Sequence, residues 1–152
     1  MPTAAGGNRA LSYTLVAVQF GCLIALALTG PWIARGAVAF VIEAAGAALG
    51  AWALWTMRRA RFNVVPDPPS AGTLVRTGPY HFVRHPMYTA LLLIALGLVL
   101  GAPSFWRWML WLVLFLNLLI KLAYEERMLL AAYPAYADYQ AETKHQIIPY
   151  LY

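Results

Sequence analysis

A chain of 152 residues that is 62% hydrophobic and only 11% charged is far from a soluble domain, in which about half the residues are apolar and about a quarter charged. With a mean hydropathy of +0.62, it reads as one domain, residues 1–152, of an all-α integral membrane protein. The net charge of +5 does not point to nucleic acid, because the basic residues stand beside apolar runs and not along one polar face. The single cysteine, Cys22, excludes a disulfide framework and a cysteine metal site.

A helix needs roughly 20 apolar residues to cross a hydrocarbon core about 30 Å thick. Four runs meet or approach that length, at 11–32, 36–57, 86–102 and 105–124, the third being the shortest. The first follows Arg9, and Cys22 within it reads as packing. A cleaved signal peptide is its alternative, opposed by the second run following almost at once. The second run contains Glu43, where insertion of an acid costs about 2.5–3.5 kcal/mol. It is expected to bond to another helix or to lie near a cavity. Gly46 and Gly50 stand at GxxxG spacing, which permits close helix approach within the chain or between copies; oligomeric state stays open.

The segment VVPDPPSAG, ending at Gly72, is too rich in proline for continuous helix. GTLVRTGPYHFV follows, with a turn at Gly78-Pro79 and then Tyr80. Next come Arg84, His85 and Pro86. Proline suits the first position of a helix, so Pro86 opens the third span with His85 near its N-cap. The open N–H groups there, with the Arg84 guanidinium, make a candidate anion site. The plainer alternative is that Arg84 and His85 reach lipid headgroups and mark the membrane border. Asn117, Lys121 and Glu125 stand four residues apart on one face of the last span, with Glu126 adjacent. They form either a helical ion pair or part of a site for a cationic cofactor.

Four spans put both termini and the central loop on one side. That side carries Arg9, Arg58, Arg59, Arg61, Arg76, Arg84, Lys121, Arg127 and Lys144, against Arg35 and Arg107 on the other. The asymmetry predicts that the termini are cytoplasmic, and a bacterial inner membrane is the expected location.

Together, GTLVRTGPY, RHPMY, EERMLLAAYPAYADY and the tail IIPYLY resemble the integral-membrane methyltransferases of the isoprenylcysteine carboxyl methyltransferase and phospholipid methyltransferase type, over about residues 61–152. The resemblance implies S-adenosylmethionine as cofactor, a lipophilic or lipid acceptor reached from the bilayer, and no metal. It implies that Gly72, Thr73, Leu74, Val75, Tyr80, His85, Pro86, Met87 and Tyr88 line the cofactor pocket. Glu125 takes a polar end of the cofactor, with Glu126 in support. The carboxyl methyltransferases carry an arginine facing the substrate carboxylate one turn before the double glutamate. Here that place holds Lys121, which keeps the charge but not the bidentate fork, so the acceptor class stays open. Lys121 and Arg84 are the candidate catalytic residues. The other classes weighed are a non-catalytic four-helix membrane subunit and a membrane reductase, the latter opposed by the lack of a glycine-rich dinucleotide fingerprint.

Overall fold

The computed structural model describes residues 8–58 and 74–148, and within them every regular element is helical. In order these are α1 (Arg9–Leu28), α2 (Ala37–Met57), a single 3₁₀ turn (Gly78–His81), α3 (Pro86–Gly101), α4 (Phe105–Ala132) and α5 (Tyr136–Glu142). Three of them, α1, α2 and α4, are long and apolar enough to cross a membrane, and α3 is a shorter apolar helix. The protein is an all-α membrane protein.

Local chemistry sets the boundaries. The Asn8 side chain accepts the Leu11 N–H at 3.3 Å and starts α1. The helix stops at Leu28, four residues short of the expected 32, because Gly30-Pro31 cannot continue it. Gly36, with φ of +90°, turns the chain into α2, a conformation that glycine adopts without strain. Ser104 accepts the Arg107 N–H at 3.3 Å and starts α4. That helix runs to Ala132, well past the expected 124. At 1.5 Å per residue its 28 residues extend about 42 Å, beyond any hydrocarbon core, and carry Glu125 and Glu126 out on unbroken helix. By the same measure α3, with 16 residues, is only about 24 Å long.

The near side of the bundle is the end where α1 begins, α2 ends, α3 begins, and α4 runs on into α5. α2 packs chiefly on α3, and α1 chiefly on α4. Small residues bring α2 and α3 together. A Cβ on Gly97 would fall 2.8 Å from Ala39 O and from Glu43 N, and one on Gly46 would fall 2.9 Å from Ala90 O. The GxxxG contact is therefore internal. The α1 face toward the core is Ser12, Leu15, Gln19, Cys22 and Leu26, the alternating three-four spacing of a helix seam. Cys22 and Leu26 join Leu92, Ala95, Val99, Leu114, Leu118 and Leu122 in the buried core.

Two acid and base placements differ from expectation. Glu43 is bonded to a loop in place of another helix: its Oε2 accepts the N–H of Ala34, in the α1–α2 loop, at 2.6 Å. Arg107 is buried, not a border charge. Its Nη1 donates to Leu26 O (2.8 Å) and Thr29 Oγ1 (3.0 Å), and its Nη2 to Leu98 O (2.7 Å). Exposed aromatics ring both ends, Trp32, Phe105 and Trp106 on the far side and Trp52 and Trp55 on the near side. Arg58 lies 3.7 Å over the Trp55 ring, an interfacial pairing.

Candidate functional site

The near-side mouth of α3 is assembled from four directions. The 3₁₀ turn delivers Tyr80, and Gly78 allows the turn: its φ is +63°, and a Cβ there would meet Thr56 Oγ1 of α2 at 2.6 Å. The connector to α3 carries Arg84 and His85, and the first turn of α3 carries Tyr88. α4 contributes Lys121, Glu125 and Glu126. The tail, residues 143–148, pairs with the connector as a short extended strip. Arg84 N–H donates to His145 O and His85 N–H to Gln146 O, both at 2.9 Å. Thr89 Oγ1 donates to Ile147 O at 2.6 Å, while the Ile147 side chain enters the core.

The two adjacent glutamates have different surroundings. Glu126 is buried and accepts five donors. Its Oε1 receives Arg84 Nε (2.7 Å), His85 Nε2 (3.2 Å) and the Tyr136 hydroxyl (3.3 Å). Its Oε2 receives Gln140 Nε2 (3.1 Å) and Gln146 Nε2 (3.0 Å). It therefore joins connector, α4, α5 and tail at one point. Glu125 keeps 28% of its side chain exposed. Its Oε2 accepts the Tyr88 hydroxyl at 2.6 Å and lies 3.8 Å from His85 Nδ1. The His85 and Tyr88 rings stack at 5.4 Å and 7°. With Nε2–H directed to Glu126, the Nδ1 edge of His85 is the one that faces Glu125.

Arg84 does not present an open guanidinium. Beyond its bond to Glu126, its Nη1 donates to Thr143 O (2.7 Å) and Lys144 O (2.9 Å). The anion site expected at the helix mouth is also narrower than a free helix terminus offers. Pro86 has no N–H, and the Tyr88 N–H donates to His85 O at 3.0 Å. Lys121 is 2% exposed. Its Nζ donates to Gln19 Oε1 of α1 at 2.8 Å and stands 5.4 Å from the Tyr88 ring centroid. One turn away, Asn117 Nδ2 donates to Leu15 O at 3.0 Å.

The Tyr80 hydroxyl is buried with no hydrogen-bond partner among the described residues. Burial pushes that phenol above its ordinary range, and the charge of Glu125 adds to the shift, so Tyr80 is a neutral donor that senses the same carboxylate as Tyr88. Tyr139 donates its hydroxyl to Tyr80 O, and Thr143 Oγ1 donates to His81 O at 3.3 Å. Of the other expected pocket residues, Leu74, Val75 and Met87 are half-buried and Pro86 is buried. Gly72 and Thr73 lie outside the described residues. Sequence reasoning missed Gln19, Tyr136, Gln140 and Gln146. The signal for Gln19 was present, as a polar side chain on the seam face of an otherwise apolar helix. The other three became visible only once α5 and the tail folded back.

The profile of the phospholipid methyltransferase family matches residues 34–136, more than half of the chain. The match starts earlier than the resemblance near residue 61, taking in α2, and ends before most of α5 and the tail. No curated protein and no solved structure matches the chain. An all-helical membrane bundle whose matched segment includes α2, the connector, α3 and α4 is thus placed by that match: the chain belongs to the phospholipid methyltransferase family and is a membrane methyltransferase.

Proposed function

We propose that this protein transfers a methyl group from S-adenosylmethionine to a lipophilic acceptor at the cytoplasmic face of the membrane. The observation that carries the reading is the convergence of Tyr80, His85, Tyr88, Lys121 and Glu125 at the near-side mouth of α3, in a member of a methyltransferase family. The excess of Lys and Arg in the near-side stretches of the sequence supports a cytoplasmic near side.

The donor set fits the cofactor. When bound, S-adenosylmethionine supplies an electrophilic methyl on a sulfonium. Glu125, part-exposed and oriented by Tyr88, is suited to its ammonium or ribose hydroxyls. The stacked rings of His85 and Tyr88 offer π faces to a cation or a purine. The Tyr80 hydroxyl, without a hydrogen-bond partner among the described residues, offers a donor to the cofactor. Glu126 and Arg84 act one step back, holding His85 and the tail in place. Arg84 is thus a positioning residue in this reading, and not one of the catalytic pair with Lys121.

Lys121 is suited to hold an anionic group of the acceptor beside the methyl. Methyl transfer is an in-line displacement, so alignment accounts for much of the rate. A carboxylate acceptor needs no base. For an amine, the Nδ1 edge of His85 is the group placed to take a proton. Glu43, the acid of the second span, is not placed to do so: it packs beside Gly97, twelve residues along α3 from His85, or about 18 Å.

Calorimetric titration with S-adenosylhomocysteine tests the reading. Wild type should bind, and His85→Ala and Glu125→Gln should each weaken binding about tenfold. Folded wild-type protein that binds no S-adenosylhomocysteine overturns it.

A further inference from the structure

The family segment starts at residue 34, so α1 stands outside it. Yet α1 supplies a direct partner of Lys121, through Gln19. Gln19 is midway along α1, about 15 Å from either end at 1.5 Å per residue. A lysine near the end of a span ordinarily extends toward the headgroups. Lys121 instead follows the lean of helical side chains toward their own N terminus, which points its ammonium into the bilayer, level with the first turn of α3 at Tyr88.

We infer that Gln19 is a positioning residue for acceptor recognition, fixing the Lys121 ammonium midway along α1 so that it receives the anionic group, carboxylate or phosphate, of a lipophilic acceptor. The inference rests on the proposed methyl transfer and names its substrate class, an amphiphile whose charged head is drawn below the headgroup plane. A plain helix-to-helix link is not a sufficient explanation. Asn117 already links α4 to α1 through Leu15 O without burying a charge, whereas a cation at membrane depth is costly and marks function. The chemistry of the partner points the same way. A glutamine oxygen accepts one ammonium hydrogen and leaves the positive charge in place. A carboxylate at the same position would cancel that charge, and a leucine would remove this acceptor from the ammonium. Tyr88, beside the ammonium, is also the residue that orients Glu125, so anion and cofactor would meet across one ring.

The test uses full-length protein in a detergent with a neutral head group. Dodecanoate, dodecyl phosphate and dodecanol compete with a fluorescent polyene fatty acid for the protein. S-adenosylhomocysteine affinity and the melting midpoint are read in parallel. Wild type should bind at least one of the two anions about tenfold or more tightly than dodecanol, and the preferred one identifies a carboxylate or a phosphate head. Gln19→Leu should lose most of that preference with S-adenosylhomocysteine affinity retained. Gln19→Glu, of the same shape but anionic, should abolish it, and it decides the matter if Gln19→Leu melts early. Wild type that does not distinguish anions from dodecanol overturns the inference, as does either folded variant that keeps the preference. Anion preference without S-adenosylhomocysteine binding would instead sink the methyl-transfer reading and leave the role of Gln19 in holding Lys121 standing.

Discussion

Adjacent Glu125 and Glu126 occupy one helix, yet their neighbours give them separate tasks. Glu126 is an acceptor saturated by Arg84, His85, Tyr136, Gln140 and Gln146, and replacing it leaves buried donors, one of them a guanidinium, without an anion. Glu126→Gln should therefore cost about 2–4 kcal/mol of stability, seen as a lower melting midpoint. Glu125→Gln should leave the midpoint nearly unchanged and act on cofactor affinity instead. Equal loss of stability in both would refute the division. Tyr80 permits a reverse signature. Its buried hydroxyl has no partner among the described residues, so Tyr80→Phe should melt at the same temperature or slightly higher. The same variant should weaken S-adenosylhomocysteine binding several-fold, by about 1 kcal/mol. Loss of both stability and affinity would show that the hydroxyl has a structural partner.

Among the elements, the helices were legible and the cap over them was not. Run lengths and the Gly-Pro and Pro breaks located α1 to α4, because burial in lipid requires apolar length and proline stops a helix. The overshoot of α4 to Ala132 was missed, since the charged stretch after residue 124 marks where the membrane ends and not where the helix does. The packing of α5 and the tail rests on long-range bonds such as Tyr139 to Tyr80 O, which no local pattern encodes. Small residues on α2 and α3 show the same split. Their spacing announced a close contact, but not its partner. Gly97→Ala should destabilise by about 1–3 kcal/mol by driving a methyl into the α2 backbone, while Gly50→Ala, 3.4 Å from the Ala90 methyl, should be tolerated. The cap has its own pH signature. Burial, reinforced by Glu126, pushes the Tyr136 phenol up, and burial raises Tyr139 against the pull of Arg84 and Arg76. Above the ordinary tyrosine value of about 10, the folded cap retains protons that the unfolded chain has lost, so stability falls as pH rises through that value. Melting midpoints measured from pH 8 to 11 should decline, and Tyr136→Phe should flatten the decline; an unchanged slope in that variant would count against it.

At the scale of the whole molecule, bonds among the described residues tie α1 to α4 along its length, among them Leu15 O to Asn117, Gln19 to Lys121, and Leu26 O to Arg107. Only the last lies on the far side, and it also reaches α3 through Leu98 O. A guanidinium here meets the carbonyl ends of two helices at once, where a cation is favoured by their dipoles. Gly30 leaves room for it, since a Cβ there would fall 2.5 Å from Nη1. Leu98 stands thirteen residues along α3 from His85, so this clamp is about 20 Å from the candidate site. Function and stability should therefore separate. Arg107→Met, which keeps length but removes every donor, should leave the Leu26 and Leu98 carbonyls without this donor and lower stability by about 2–4 kcal/mol. Arg107→Lys should fall between wild type and Met, because one ammonium cannot reproduce the planar fork. Both variants, kept below their melting midpoints, should bind S-adenosylhomocysteine as wild type does. If the folded Met variant binds it markedly more weakly, the far-side clamp is coupled to the near-side mouth through α3, and the separation of the two ends fails.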